Sequence, residues 1–145
     1  MTTKNSQPDQ EAYYTQYATD PQMLAVAQRV VASIQLDACT PDGVCLATTP
    51  RVKVGGNGVS GPTFVDNAAY RDYAWATWNT DALDMESAAV GHVATTNDVP
   101  FIIFRSLSDL AGGGPGENEV GTFFALAAGN SAKVMTAFIA ALPRR

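Results

Sequence analysis

The apolar positions of this chain change period several times, and each change predicts an element. Met23, Leu24, Ala27, Val30, Val31 and Ile34 recur at helical spacing and predict a core-facing helix. Asp20 is placed to cap it, Pro21 suits its first turn, and its end falls near Leu36. Arg51-Val52-Lys53-Val54 alternates and is β-branched, so it predicts a strand that runs into the glycine-rich loop 55–61. Helical spacing returns over 66–78, with Ala69, Tyr70, Tyr73, Ala74 and Trp78 on one stripe. Asp81-Ala82-Leu83 predicts a short strand, and 85–96 a second helix with Met85, Ala88, Ala89 and Val93 apolar. Phe101-Ile102-Ile103-Phe104 is a continuous apolar run of the kind buried on both faces of a sheet. After a loop at 111–116, the segments 117–128 and 131–142 predict two closing helices.

Strands that alternate with helices predict an α/β fold with a mostly parallel sheet flanked by helices. Residues 1–19 read as a polar tail and 20–145 as one domain, with no internal repeat and no dividing linker. In such sheets the strands' C-terminal ends share one edge, and ligands bind outside it.

Composition narrows the partners. The net charge is −5, and the basic residues are scattered except for Arg144-Arg145. Nucleic-acid backbone binding needs clustered Lys and Arg, so it is not expected. No apolar run approaches the roughly 20 residues of a membrane span. The first ten residues, MTTKNSQPDQ, lack an apolar signal core, which favours the cytoplasm. Cys39 and Cys45 flank the turn Thr40-Pro41-Asp42-Gly43 and lean the other way. They read either as a small disulfide loop or as two free thiols. With a single histidine, His92, they make no zinc pattern, so no metal is expected.

Three polar constellations follow the three predicted strands. They are Ser60-Gly61-Pro62-Thr63-Phe64, Asp84-Met85-Glu86, and Arg105-Ser106-Leu107-Ser108-Asp109. Phe64 can stack on a flat base, Glu86 can accept hydrogen bonds from a diol, and Asp109 can donate or accept a proton. Together they suit a nucleoside. Each has a bland alternative. Gly56-Asn57-Gly58-Val59-Ser60-Gly61 matches the dinucleotide fingerprint G-x-G-x-x-G, but Pro62 interrupts the helix that should open there. Asp84 reads better as a helix cap than as a catalyst. Glu86 can be a first-turn carboxylate, and Asp109 can cap a turn with Ser108 or pair with Arg105. A serine hydrolase elbow fails because Pro62 stands where glycine is needed. His92, inside a helix, reads as a partly buried structural residue.

Asp84-Met85-Glu86-Ser87-Ala88-Ala89-Val90, Val99-Pro100-Phe101 and Arg105-Ser106-Leu107-Ser108-Asp109-Leu110-Ala111, with Ser60-Gly61-Pro62-Thr63-Phe64 before them, resemble the nucleoside phosphorylase and methylthioadenosine/adenosylhomocysteine nucleosidase superfamily. The segment from Cys39 through Gly61 is similar to the branch that includes plant bark storage proteins. The resemblance covers about residues 20–142 and implies a partial three-layer phosphorylase-like fold. It implies that Phe64 stacks on the purine, the Val65 backbone touches its edge, and Met85 packs under the ribose. Glu86 would bind the ribose hydroxyls, and Asp109, oriented by Ser108, would protonate the purine N7. Arg105 would organise the nucleophile and Glu86. The implied substrate is a purine nucleoside and the reaction is phosphorolysis or hydrolysis of its N-glycosidic bond. No cofactor is implied, with phosphate a possible co-substrate.

The chemistry agrees, because cleavage builds positive charge on the sugar and negative charge on the base. Family members begin with a further half that carries the phosphate or water-activating groups. The expectation is therefore an incomplete or split enzyme, working as a homo-oligomer or with a complementary N-terminal half. The alternative is a non-catalytic nucleoside-binding or storage-like protein.

Overall fold

The computed structural model describes residues 2–4, 11–13, 16–113 and 120–143. Within the segment expected as a polar tail, β1 (Thr2–Lys4) and β2 (Glu11–Tyr13) pair antiparallel. Helix α1 (Pro21–Val31) follows. Its start is as expected: the Asp20 side chain accepts the Met23 N–H at 2.8 Å and Pro21 opens the first turn. The Asp20 N–H in turn donates to the Phe101 carbonyl at 2.8 Å, which ties the start of the helix to the apolar segment 101–104.

The sheet core is a parallel pair, β3 (Asn57–Ser60) and β4 (Thr80–Asp84). Helix α2 (Ala68–Trp78) connects them, as a parallel crossover requires. The Asn67 side chain caps its start, accepting the Tyr70 N–H at 2.9 Å. Asn79, left-handed at φ 51°, closes its end. Helix α3 (Ser87–Thr96) leaves β4 directly, and α4 (Val120–Ala141) closes the chain. The expected α/β class, a parallel pair flanked by helices, is what the chain adopts.

Two strands were expected elsewhere. Arg51–Val54 is not a strand; the ladder forms six residues later, inside the segment read as a glycine-rich loop. Pairing decides this, because β4 offers its register to 57–60, with Ser60 opposite Asp84. Val54 instead packs against the main core. Phe101–Phe104 carries no ladder either, yet Ile102 and Phe104 pack against the same core. Apolarity fixed their burial, whereas a ladder also needs a neighbouring strand.

The two closing helices are one helix. Its expected break falls at Gly129-Asn130, but the buried Asn130 side chain is spent outside the helix. It accepts the Asp37 N–H at 2.8 Å and donates to the Asp37 carbonyl at 2.9 Å. Residues 117–119 of the expected helix lie outside the described residues. The merger also overturns the expectation about apolar length: Gly121–Ala141 is long and apolar enough to cross a membrane, judged by length and composition alone. One face of it is core, with Phe123, Leu126, Val134 and Phe138 buried. Phe138 joins Val26 and Ala27 of α1, and its ring lies 5.0 Å from that of Phe104.

Cys39 and Cys45 form a disulfide across the expected turn, so the free-thiol alternative does not hold. His92 is half-buried and stacks on Tyr17 with ring centroids 6.1 Å apart, in keeping with a structural role.

Candidate functional site

The site is built where β3 and β4 end side by side. The Gly61 N–H donates to the Asp84 carbonyl at 3.1 Å, so the ladder continues one step past Ser60. The chain then turns through Pro62 and Thr63 to Phe64 and Val65, and these residues wall a cleft of about 680 Å³. Asp66, Asn67 and Tyr70 from the start of α2 form its other side, and Asp84 lies at its base. Phe64 is 59% exposed, so its ring is open to a ligand. Val65 lines the same wall.

Asp84 is the hub. One carboxylate oxygen accepts the N–H groups of Glu86 and Ser87 at 3.2 and 3.0 Å, capping α3. The other meets the Arg105 Nε at 2.7 Å and accepts the Ser87 hydroxyl. Burial at the strand end pushes the Asp84 carboxyl up. The Ser87 and Ser60 hydroxyls, the Ser87 N–H and the Arg105 charge outweigh it, and its pKa falls below 3.8. The Ser60 hydroxyl is buried beside it but reaches no partner with good hydrogen-bond geometry. It acts on the carboxylate through proximity rather than as a formed bond.

Arg105 carries the arrangement outward. Its Nη2 donates to the Glu86 carboxylate at 2.9 Å and its Nε to the Ser87 hydroxyl at 3.0 Å. Glu86 is 60% exposed while Asp84 is 10% exposed, so one carboxylate faces solvent and the other holds the arginine. Met85 sits between them and is 45% exposed. The expected partnership of Arg105 with Glu86 therefore forms, and the alternative pairing of Arg105 with Asp109 is replaced by Asp84.

Asp109 accepts the Ser108 hydroxyl at 2.8 Å. Both residues are half-buried, in the segment between α3 and α4. The structure thus makes three groups from the expected residues. Glu86 and Arg105 form an ion-paired set around Asp84, and Phe64 and Val65 line the cleft. Ser108 and Asp109 pair with each other. Sequence reasoning undervalued Asp84, read only as a cap. The available signal was two carboxylates two residues apart at a strand end, which the alternation of a strand sets on one face, where a single cation can meet both.

A family model described as the phosphorylase superfamily matches residues 2–140. The chain belongs to that superfamily. Among curated relatives, a 5'-methylthioadenosine/S-adenosylhomocysteine nucleosidase of Treponema pallidum (strain Nichols) is 36% identical over 98 residues, 59% of this chain and 36% of the relative. Bark storage proteins A and B of Populus deltoides are each 27% identical over 117 residues, 81% of this chain and 36% of theirs. The chain therefore spans about a third of the length of these relatives. No solved structure matches it. Membership agrees with the resemblance carried by the motifs at Ser60, Asp84 and Arg105.

Proposed function

We propose that this phosphorylase-superfamily chain carries the base and ribose part of a site that cleaves the N-glycosidic bond of purine nucleosides. One observation carries the reading: the exposed Glu86 is held by an arginine that is itself held by Asp84, a residue that lines the cleft. In this reading Phe64 stacks on the base and the Val65 backbone meets its edge. Met85 packs under the ribose and Glu86 accepts its hydroxyls. Asp109, oriented by Ser108, protonates N7 of the leaving purine. A fixed carboxylate beside the sugar favours the positive charge that develops there.

No basic side chain is among the residues that line the cleft. The group that activates water or holds phosphate is therefore proposed to come from outside this wall, in a second copy or a complementary chain. The named activity of the Treponema relative supports nucleoside cleavage.

The test is isothermal titration with adenine, adenosine and methylthioadenosine, with base release followed in the same samples with and without phosphate. Binding and release are expected, with release lost in Asp109→Ala and both weakened in Glu86→Ala, and phosphate dependence distinguishes phosphorolysis from hydrolysis. A folded sample that neither binds nor releases base defeats the proposal. The longer alignment with bark storage proteins supports a second reading, a storage-like nucleoside binder. Binding without release under every condition would select it.

A further inference from the structure

The loop that follows Asp109 is fastened at two consecutive residues to Asp66, just before the cap of α2, and to Arg71 in its first turn. The Asp66 carboxylate accepts the Gly112 N–H at 2.9 Å. The Arg71 Nη1 donates to the Ala111 carbonyl at 2.8 Å. The fit leaves no slack. Gly112 has φ +76°, and a Cβ there would lie 2.0 Å from the Ala68 nitrogen and 2.6 Å from the Asn67 carbonyl carbon. These are backbone atoms at the capped start of a helix and cannot turn aside, so glycine alone fits in both conformation and space. Asp66 also lines the cleft beside Phe64.

Resting on the function proposed above, we infer that Asp66 and Arg71 are positioning residues for Asp109. They act by clamping the backbone two and three residues beyond it. The reach of the chain sets the link. Two residues span at most about 7 Å, so fixing Ala111 confines the Asp109 backbone to a small arc. The wall that carries the stacking residue and the loop that carries the acid are thereby one rigid unit. Base and acid keep their separation whatever closes over the cleft. An acid displaced by about 1 Å loses up to about 100-fold in rate. The clamp acts through geometry rather than charge: Asp66 serves as an acceptor, so asparagine should replace it.

The experiment uses the whole chain as wild type, Asp66→Ala, Asp66→Asn, Arg71→Ala and Gly112→Ala. Base release from methylthioadenosine, adenine binding by titration and thermal melting are measured on each. Asp66→Ala and Gly112→Ala should lower kcat at least about 10-fold while KM moves less than about 3-fold, since the acid serves the chemical step more than substrate binding. Asp66→Asn should return to within about 3-fold of wild type, and Arg71→Ala should fall between. If the wild type binds adenine without releasing base, the same ranking is expected in the adenine Kd, because Asp109 also meets N7 of the free base.

Equal damage in Asp66→Asn and Asp66→Ala would mean that the charge itself is used, and would overturn the clamp. Variants that melt earlier but keep kcat, or Kd, would reduce it to a stability contact and overturn it too. Should Gly112→Ala fail to fold, the Asp66 pair and Arg71→Ala decide alone. A folded wild type that neither binds adenine nor releases base removes the functional reading and this inference with it. Active wild type with indifferent variants removes only the inference.

Discussion

Asp84→Asn separates the two jobs of the hub residue. The amide keeps an oxygen for the Glu86 and Ser87 N–H groups, so the α3 cap survives. It replaces the other oxygen with an NH2 that faces the Arg105 Nε, where the wild type has a 2.7 Å ion pair. The contact is an ion pair, since the Nε hydrogen bond itself goes to the Ser87 hydroxyl; together with the Ser87 hydroxyl bond to Asp84 it is worth about 1.5–3 kcal/mol where it is shielded from water. Asp84 is shielded at 10% exposure, but Arg105 at 35% can turn back to solvent. That argues for the lower part of the range, about 2 kcal/mol in total with the Ser87 hydroxyl bond included. With a urea slope of about 2 kcal/mol per M, the unfolding midpoint should drop by about 1 M at pH 7.

The pH dependence gives the sharper test. The folded pKa of Asp84 lies below its ordinary value of 3.8. A depressed carboxylate stabilises the fold above its unfolded pKa, and that stabilisation is lost as pH falls through the folded value. Asparagine does not titrate. The gap between wild type and variant should therefore be constant near neutrality, begin to close below the ordinary carboxylate range and vanish beneath the lowered value. Urea unfolding followed by tryptophan fluorescence across this range measures it. A gap under about 0.3 M at pH 7, or one that persists unchanged in acid, refutes the reasoning that the ion pair carries the stability.

Three further outcomes follow from the packing. Phe138→Ala empties the contact between α1, α4 and Phe104, and should cost about 3–5 kcal/mol in urea unfolding, because Phe138 is 4% exposed. Cys39→Ser opens a loop with a sequence separation of 6 and should cost about 2 kcal/mol relative to the oxidised protein, measured the same way; the difference should disappear when both are assayed in dithiothreitol. Asp20→Ala removes the α1 cap and should cost about 1 kcal/mol, whereas Asp20→Asn should cost much less, by thermal or urea unfolding.

The local rules read well from the sequence. Asp20 and Pro21 fixed the start of α1, the stripe through Met23, Ala27 and Val30 found its core face although it left out the buried Val26, and the motif spacings led to the superfamily. What escaped was set by pairing across the chain. The strand at 57–60 hides in a glycine-rich segment because its partner β4 defines it, not its own propensity. The continuity of α4 depends on Asp37, some ninety residues earlier in the chain, taking both hydrogen bonds of Asn130. At the site, Phe64, Glu86 and Arg105 were nameable from residue type. Which carboxylate Arg105 would choose was not, since Asp84, Glu86 and Asp109 all lay in plausible reach.

That choice shapes the charge around Glu86. Asp84 and Glu86 together carry two negative charges against the single positive charge of Arg105, so the local balance is −1. Asp84 is capped, ion-paired and nearly buried, so the uncompensated charge falls on the exposed Glu86. For the proposed reaction, which builds positive charge on a sugar, a negative charge exposed at Glu86 is the useful distribution. Had Arg105 paired with Asp109 instead, Glu86 would have lost its guanidinium partner. Placing Asp84 at the end of β4 avoids this. It occupies the arginine from the buried side, lets one guanidinium nitrogen reach Glu86, and leaves Asp109 to its own serine.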